Sequence, residues 1–136
     1  MAMLQMLLGA GGKLATSQEY LEAGTYSWVC PAGVTSVSAV AIGPGGAGEN
    51  SGPYGGGGGA CAYKNNITVS PGTSYEIIVG ARGLQEGGSE TAATDTKGFP
   101  SGGSHLLIAK PGTNGEHPNY GTGATAASCT GDGSYK

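Results

Sequence analysis

Charged residues are scarce in this sequence, because lysine, arginine, aspartate and glutamate make up only 11% of its 136 residues. An ordinary globular domain has about 25%. The formal net charge is −3, and Arg82 is the single arginine. A chain with no basic patch is not expected to bind nucleic acid. Apolar runs are short as well, and none reaches the roughly 20 residues that a membrane-spanning helix needs. We therefore expect no membrane insertion.

Residue patterns for catalysis, cofactor binding or metal binding are also lacking. Gly43, Gly45 and Gly48 spell the G-x-G-x-x-G pattern, but the residues that follow cannot form the helix on which a dinucleotide pyrophosphate rests. His105 and His117 are the only histidines, and neither lies in a recognisable nucleophile or acid–base motif. The sequence predicts a non-enzymatic protein with no catalytic residue, no cofactor and no metal site.

Cysteine is present only as Cys30, Cys61 and Cys129, which lie far apart. Their spacing fits neither a zinc site nor a dense disulfide framework. One disulfide would leave a thiol over, and the alternative is that all three are small apolar residues in strands.

Glycine is abundant, with 29 residues, and residues 43–59 contain ten of them. Two interpretations stay open for such segments. They could be flexible linkers, because glycine loses the most freedom on folding. They could instead pack as a lattice of extended backbone, since no Cβ keeps neighbouring segments apart. Strong strand patterns on both sides favour the ordered lattice.

Short segments with a period of two are the main structural signal, and no segment keeps a helical period. Residues 25–30 place Tyr26, Trp28 and Cys30 on one face. Further strands are expected at 34–42, 60–69, 75–79 and around 106–108. The sequence predicts an all-β fold, a small β-sandwich with long glycine-rich, polyglycine-type loops. Its expected interior is Trp28, Val37, Val40, Ile42, Ile67, Val69, Ile77, Val79, Leu106 and Ile108.

The expected organisation has three parts. Residues 1–17 form an apolar N-terminal arm with a glycine joint at 9–12, residues 18–112 form the glycine-rich β-sandwich, and residues 113–136 form a segment rich in Gly, Ala and Thr. This last segment is part of the same domain or a tail. An exposed apolar stretch usually marks an interaction site, so we expect the arm to dock on a neighbouring subunit. The alternative is that it folds back on its own sandwich. The expected docking residues are Met3, Leu4, Met6, Leu7 and Leu8.

Tyrosine supplies a candidate binding surface in a chain with so little charge. The candidate residues are Tyr54, Tyr63, Tyr120 and Tyr135. Tyrosine offers a large contact area at low entropy cost together with a polar hydroxyl, which suits contact with sugars or other subunits. Exposed tyrosines are also ordinary loop residues, and that alternative stays open.

Three stretches carry a resemblance to a known family. Residues 22–37 run from an aromatic strand through Cys30-Pro31-Ala32-Gly33-Val34-Thr35 into a valine-rich strand. A polyglycine block follows at 55–60, and 70–80 contains a Ser-Pro-Gly-Thr turn and another strand. Together these resemble the phage glycine-rich domain family, whose members occur in tail fibres, tail-tip adhesins and other virion surface proteins.

The resemblance implies a structural protein of the virion surface, of the tail-fibre accessory or capsid decoration type, with a role in host attachment. The implied partners are further copies of the chain, other virion proteins and a host surface glycan. Two other functions are weighed against it. One is a self-assembling extracellular filament or adhesion subunit, and the other is a small glycan-active hydrolase.

Overall fold

The computed structural model describes residues 2–10, 13–50, 52–86 and 89–135, and for residues 7–10 and 13–16 it describes the backbone alone. Within these ranges the chain forms eleven strands, one short 3-10 helix at Ala126–Ser128 and no α-helix. The strands are β1 (Met3–Ala10), β2 (Lys13–Tyr20), β3 (Gly24–Val29), β4 (Ser36–Ile42), β5 (Cys61–Thr68), β6 (Ser74–Val79), β7 (Leu84–Glu86), β8 (Ser89–Thr91), β9 (Thr96–Ser101), β10 (Ser104–Ala109) and β11 (Gly133–Tyr135).

The strands are arranged in two main antiparallel sheets. One sheet has the order β11-β5-β4-β1-β2 and the other β10-β9-β6-β3, while β7 and β8 form a separate hairpin. Buried side chains from both sheets belong to one hydrophobic cluster, including Leu4 and Val37 from the first and Trp28 and Ile77 from the second. The predicted all-β sandwich is confirmed.

Most of the predicted interior lies in the core. Trp28, Val37, Ile67, Val69, Ile77 and Val79 are buried. On β3, Tyr26 and Trp28 share the inward face as the alternation predicts, and Cys30 follows as a buried residue. The sequence did not single out Phe99, which is one of the largest fully buried side chains and contacts the Trp28 ring edge-on, with centroids 6.2 Å apart.

The predicted interior is wrong on β4 and β10. On β4 the inward positions are Ala39 and Ala41, so Val40 and Ile42 lie half-buried on the outer face of the sheet. Alternation decides this, because Val37 points inward and every second residue must follow it. On β10 it is Leu107 and Ala109 that are buried, while Leu106 and Ile108 are only half-buried.

The apolar N-terminus is a strand of the chain's own sheet rather than a free arm. β1 lies between β4 and β2 and pairs with both in antiparallel register. Leu4 and Met6 are both 0% exposed and belong to the core cluster, and Met3 lies on the outer face. The side chains of Leu7 and Leu8, like the expected joint residues Gly11 and Gly12, lie outside the described residues. Burial of the large apolar side chains of this stretch between the sheets stabilises the fold, because it removes their surface from water.

Candidate functional site

The glycine-rich segments are ordered and pack against one another, and we name residues 43–49, 54–60, 110–115 and 121–124 the glycine bundle. The Gly43 N–H donates to the Ala60 carbonyl at 2.7 Å, and the Gly46 N–H donates to that of Gly57 at 2.9 Å. These donors are three residues apart, as are their acceptors. Three residues per turn is the period of the polyproline II helix, which has no internal hydrogen bonds and must satisfy its backbone through neighbours.

The other two segments of the bundle follow the same period. Gly112 and Gly115 donate to the carbonyls of Pro44 and Ala47, at 3.0 and 2.8 Å. In the same way the N–H groups at 121 and 124 donate to the carbonyls at 55 and 58. Residues 113–124 are therefore part of the packed structure and do not form a separate tail.

Close approach explains why glycine is needed at particular positions of the bundle. A Cβ added at Gly57 would overlap the carbonyl oxygen of Thr122, and one added at Gly59 would overlap that of Gly43. Gly58, between them, has nothing within 4 Å of its Cβ position. The ordered lattice predicted as one of two alternatives is confirmed, and the linker interpretation is wrong for these residues.

The bundle projects from one end of the sandwich. Residue 43 follows the last residue of β4, residue 60 precedes the first of β5, and residue 110 follows the last of β10. The turn at 49–54 is closed by a hydrogen bond from Glu49 N–H to the Tyr54 carbonyl, and the turn at 116–119 by one from Glu116 N–H to that of Asn119. Since both excursions start at the sheets, both turns lie at the far end of the bundle.

Three aromatic rings meet at this far end, and we name Tyr54, His117 and Tyr120 the aromatic end. The Tyr54 ring lies edge-on to both others, with its centroid 5.5 Å from that of His117 and 5.2 Å from that of Tyr120. Tyr120 is 63% exposed. The Gly121 N–H, beside Tyr120, donates to the Gly55 carbonyl, beside Tyr54, and this bond fixes the two turns side by side.

The predicted tyrosine surface therefore divides into two pairs. Tyr54 and Tyr120 belong to the aromatic end, whereas Tyr63 and Tyr135 lie on the outer face of the five-stranded sheet. There the two rings stack, with centroids 6.2 Å apart and planes 16° apart. Sequence reasoning considered His117 only as a catalytic candidate and missed its place in the aromatic end. No local pattern links it to Tyr54, which is more than sixty residues away.

Among the ionisable groups, Asp132 holds the C-terminal segment to β5. Its carboxylate accepts from the backbone N–H of Asn65 at 2.7 Å and from Lys64 Nζ at 2.9 Å. The backbone hydrogen bond, followed by that from Lys64, lowers the pKa of Asp132 below its ordinary value. This carboxylate is an anchor rather than an acid or a base at neutral pH.

The three thiols are free. Cys30 is buried and donates to the Val34 carbonyl at 3.2 Å, and burial raises its pKa. The pKa of Cys61 is raised by burial and next by the neighbouring Cys129. In the ranges that the structure covers, no three of the His, Cys, Asp and Glu side chains are grouped so that they could hold a metal ion. The described part of the chain also has no helix long and apolar enough to cross a membrane.

Comparison with known proteins identifies the domain. The model of a family described as a glycine-rich domain matches residues 18–136. Searches of curated proteins and of solved structures found no significant match. The matched range contains the whole glycine bundle and every strand from β3 to β11, and it starts within β2. The expected glycine-rich family is thus confirmed, while its connection with phages stays a prediction. The chain belongs to the glycine-rich domain family.

Proposed function

We propose that this protein is a non-enzymatic structural protein of the phage virion surface, of the tail-fibre accessory or capsid decoration type. In this proposal the sandwich holds the protein on the particle, among further copies and other virion proteins. The glycine bundle points outward and contributes to host attachment through the aromatic end. The virion assignment rests on the resemblance of residues 22–37, 55–60 and 70–80 to phage surface proteins.

The observation that carries the attachment role is the aromatic end itself. Two separate turns bring Tyr54, His117 and Tyr120 together at the far end of the bundle, where Tyr120 is largely exposed. His117 and Tyr120 are exposed and Tyr54 is half-buried. Exposed aromatic rings are available to a ligand, and each loses little conformational entropy when it binds.

The bundle suits this role because its shape is fixed by backbone hydrogen bonds rather than by a thick apolar core. Segments of polyglycine type can lie closer together than strands with side chains, so a narrow projection can carry the two turns at its end. A rigid support also lowers the entropy cost of binding, because the rings are already positioned before contact.

Immunogold electron microscopy tests the location. Antibodies against the purified chain should label intact phage particles at a defined place, and the chain should appear in the mass spectrum of purified virions. Helical filaments without a capsid would support the extracellular filament subunit instead. Release of reducing ends from host polysaccharide by the protein would support the hydrolase.

Cell binding tests the aromatic end. Fluorescently labelled full-length protein should bind bacteria that the particles infect, and the double variant Tyr54→Ala/Tyr120→Ala should bind at least about tenfold less, as expected for the loss of central aromatic contacts. Val29→Ala is the control, since it removes an apolar side chain that is 58% exposed on β3, outside the glycine bundle. Equal loss of binding in both variants, or in neither, would contradict the assignment.

A further inference from the structure

A groove on the outer face of the five-stranded sheet lies apart from the glycine bundle. Its floor is β4, and its two sides come from β1 and β5. The lining consists of Gln5, Ser38, Val40, Tyr63 and Asn65, together with Ala39, whose side chain points into the core. The register of the three strands brings these side chains together, because Gln5 pairs with Val40 and Val40 pairs with Tyr63. These three residues thus form one row across three adjacent strands.

The Tyr63 ring is held in place from the β11 side. Gly133 is its register partner, and a Cβ there would come 2.7 Å from Tyr63 Cε1, so the ring lies over this glycine. Tyr135, two residues further along β11, stacks on the ring and is not part of the groove lining. Tyr63 therefore presents a fixed aromatic wall to the groove on its β4 side.

The polar side chains of the groove carry the amides of Gln5 and Asn65 and the hydroxyls of Ser38 and Tyr63. The Gln5 side chain is oriented by a hydrogen bond from its Nε2 to Glu19 Oε1 at 3.1 Å. The backbone N–H of Asn65 donates to Asp132, which fixes this residue at the rim. Among the described residues that line the groove, none carries a charge.

We propose that this groove binds a neutral pyranose sugar. An aromatic wall suits the apolar C–H face of a sugar ring, and amide side chains with a neighbouring hydroxyl suit its adjacent hydroxyl groups, as donors and acceptors together. A neutral lining favours a neutral ligand, because a charged sugar would lose hydration without gaining an ionic partner. The further step, that this sugar belongs to a host surface polysaccharide, rests on the proposed attachment role.

Ligand-observed saturation-transfer NMR on the full-length chain tests the groove. The probes are methyl α-D-glucopyranoside, methyl β-D-galactopyranoside and N-acetylglucosamine, with glucuronic acid as the charged counterpart of glucose. We expect saturation at the ring C–H protons of at least one neutral sugar and clearly weaker binding of glucuronic acid. Absence of binding for all three neutral sugars, or equal binding of glucuronic acid, would overturn the proposal.

Two substitutions at Tyr63 separate its ring from its hydroxyl. Tyr63→Ala should weaken sugar binding about tenfold, while Tyr63→Phe keeps the ring and should stay within about threefold of the unmodified protein. Binding by Tyr63→Ala at the original affinity would overturn the proposal. Should that variant not fold, Asn65→Ala decides, because Asn65 is exposed and its backbone hydrogen bond survives the change. We expect it to weaken binding about fivefold, as for one lost hydrogen bond, and an unchanged affinity would count against the groove.

The double variant at the aromatic end distinguishes this inference from the proposed function. Tyr54→Ala/Tyr120→Ala should leave sugar binding in the groove unchanged, because both residues lie on the bundle. A loss of sugar binding in this variant would place the sugar at the aromatic end and overturn the assignment to the groove. Sugar binding that persists in a protein absent from phage particles would leave the groove standing and refute the virion assignment.

Discussion

Identical residues have different roles within the run of five glycines. The polyproline II period places residues i and i+3 on the same side of a segment. Gly56 and Gly59 face the segment at 43–47, and Gly57 faces the one at 121–124. Gly55 and Gly58 face outward, with open space around their Cβ positions. The same side chain is therefore expected to destabilise the protein at one position and to have little effect at the next.

Substitution by valine at adjacent positions tests this difference. Gly57→Val should destabilise the protein by about 3 kcal/mol or more, because its side chain would overlap backbone that cannot move without breaking the bundle. The free energy of unfolding in urea measures the effect. Gly58→Val is the matched control and should stay within about 0.5 kcal/mol, as is usual for surface changes. Similar values for the two variants would contradict the packing described for the bundle.

The ionised carboxylate of Asp132 stabilises the folded protein at neutral pH. The pKa of Asp132 is lowered in the folded protein, mainly by the Asn65 backbone hydrogen bond. The folded protein therefore binds fewer protons at this site than the unfolded chain does. This contribution is present above the unfolded pKa of the carboxyl and is lost as the pH falls through the folded value.

Asp132→Asn should therefore reduce the loss of stability on acidification. Urea unfolding followed between pH 7 and pH 3 measures it, and the unmodified protein should lose more stability over this range than the variant. At pH 7 the variant should be the less stable of the two, because the amide cannot replace the ionic contact with Lys64. Parallel pH curves for the two proteins would show that this carboxylate is not coupled to folding.

At the scale of elements, β1 joins β2 to the rest of the five-stranded sheet. It separates β4 from β2, and its inward side chains reach the opposite sheet: a Cβ at Gly98 of β9 would come 3.1 Å from Leu4 Cδ1. Two of the three inward residues of β4 are alanines, so Leu4 and Met6 supply volume that β4 does not. The strand lies outside the range matched by the family model and still belongs to the core.

Leu4→Ala tests this contribution. It should lower the free energy of unfolding by about 2–5 kcal/mol, because it leaves a cavity between the sheets. Thermal or urea unfolding of the purified protein measures the change. Gln18→Ala, an exposed position on the neighbouring β2, should have little effect. If β1 served only to dock on another subunit, Leu4→Ala would change assembly and leave the stability of the monomer intact.

At the scale of the whole molecule, the sandwich and the glycine bundle share their backbone connections. Segments of the bundle continue directly from β4 and β10 and lead directly into β5, and the Ala60 N–H donates to the Lys110 carbonyl at 2.9 Å where they leave the sheets. Loss of strand pairing at these ends would release the first hydrogen bonds of the bundle. The two parts should therefore unfold together.

Native-state hydrogen exchange tests this cooperativity. The amides of Gly57, Gly112 and Gly115, which donate within the bundle, should exchange with an opening free energy close to that of global unfolding. Trp28 fluorescence reports unfolding of the sandwich in the same solution conditions. Exchange of these amides at a free energy several kcal/mol lower would show that the bundle opens by itself.

The sequence alone determined the local features of this protein. Short runs of strand-forming residues located β3, β4, β5, β6 and β10, and in β3 the period-two alternation also identified the inward face. The scarcity of charge and the glycine-rich segments likewise pointed to an all-β chain with polyglycine packing. Such signals are carried by neighbours in the chain and need no knowledge of distant partners.

The tertiary structure decided everything that depends on residues distant in sequence. Which face of β4 is inward depends on which strands lie beside and across from it, and an apolar N-terminus looks the same whether it pairs with β4 or with another subunit. The aromatic end joins Tyr54 to His117 and Tyr120 only because glycine allows the backbones between them to approach closely. In the same way, Tyr63 becomes the wall of a groove only through the register of β1, β4 and β5, which is set by pairing across the sheet.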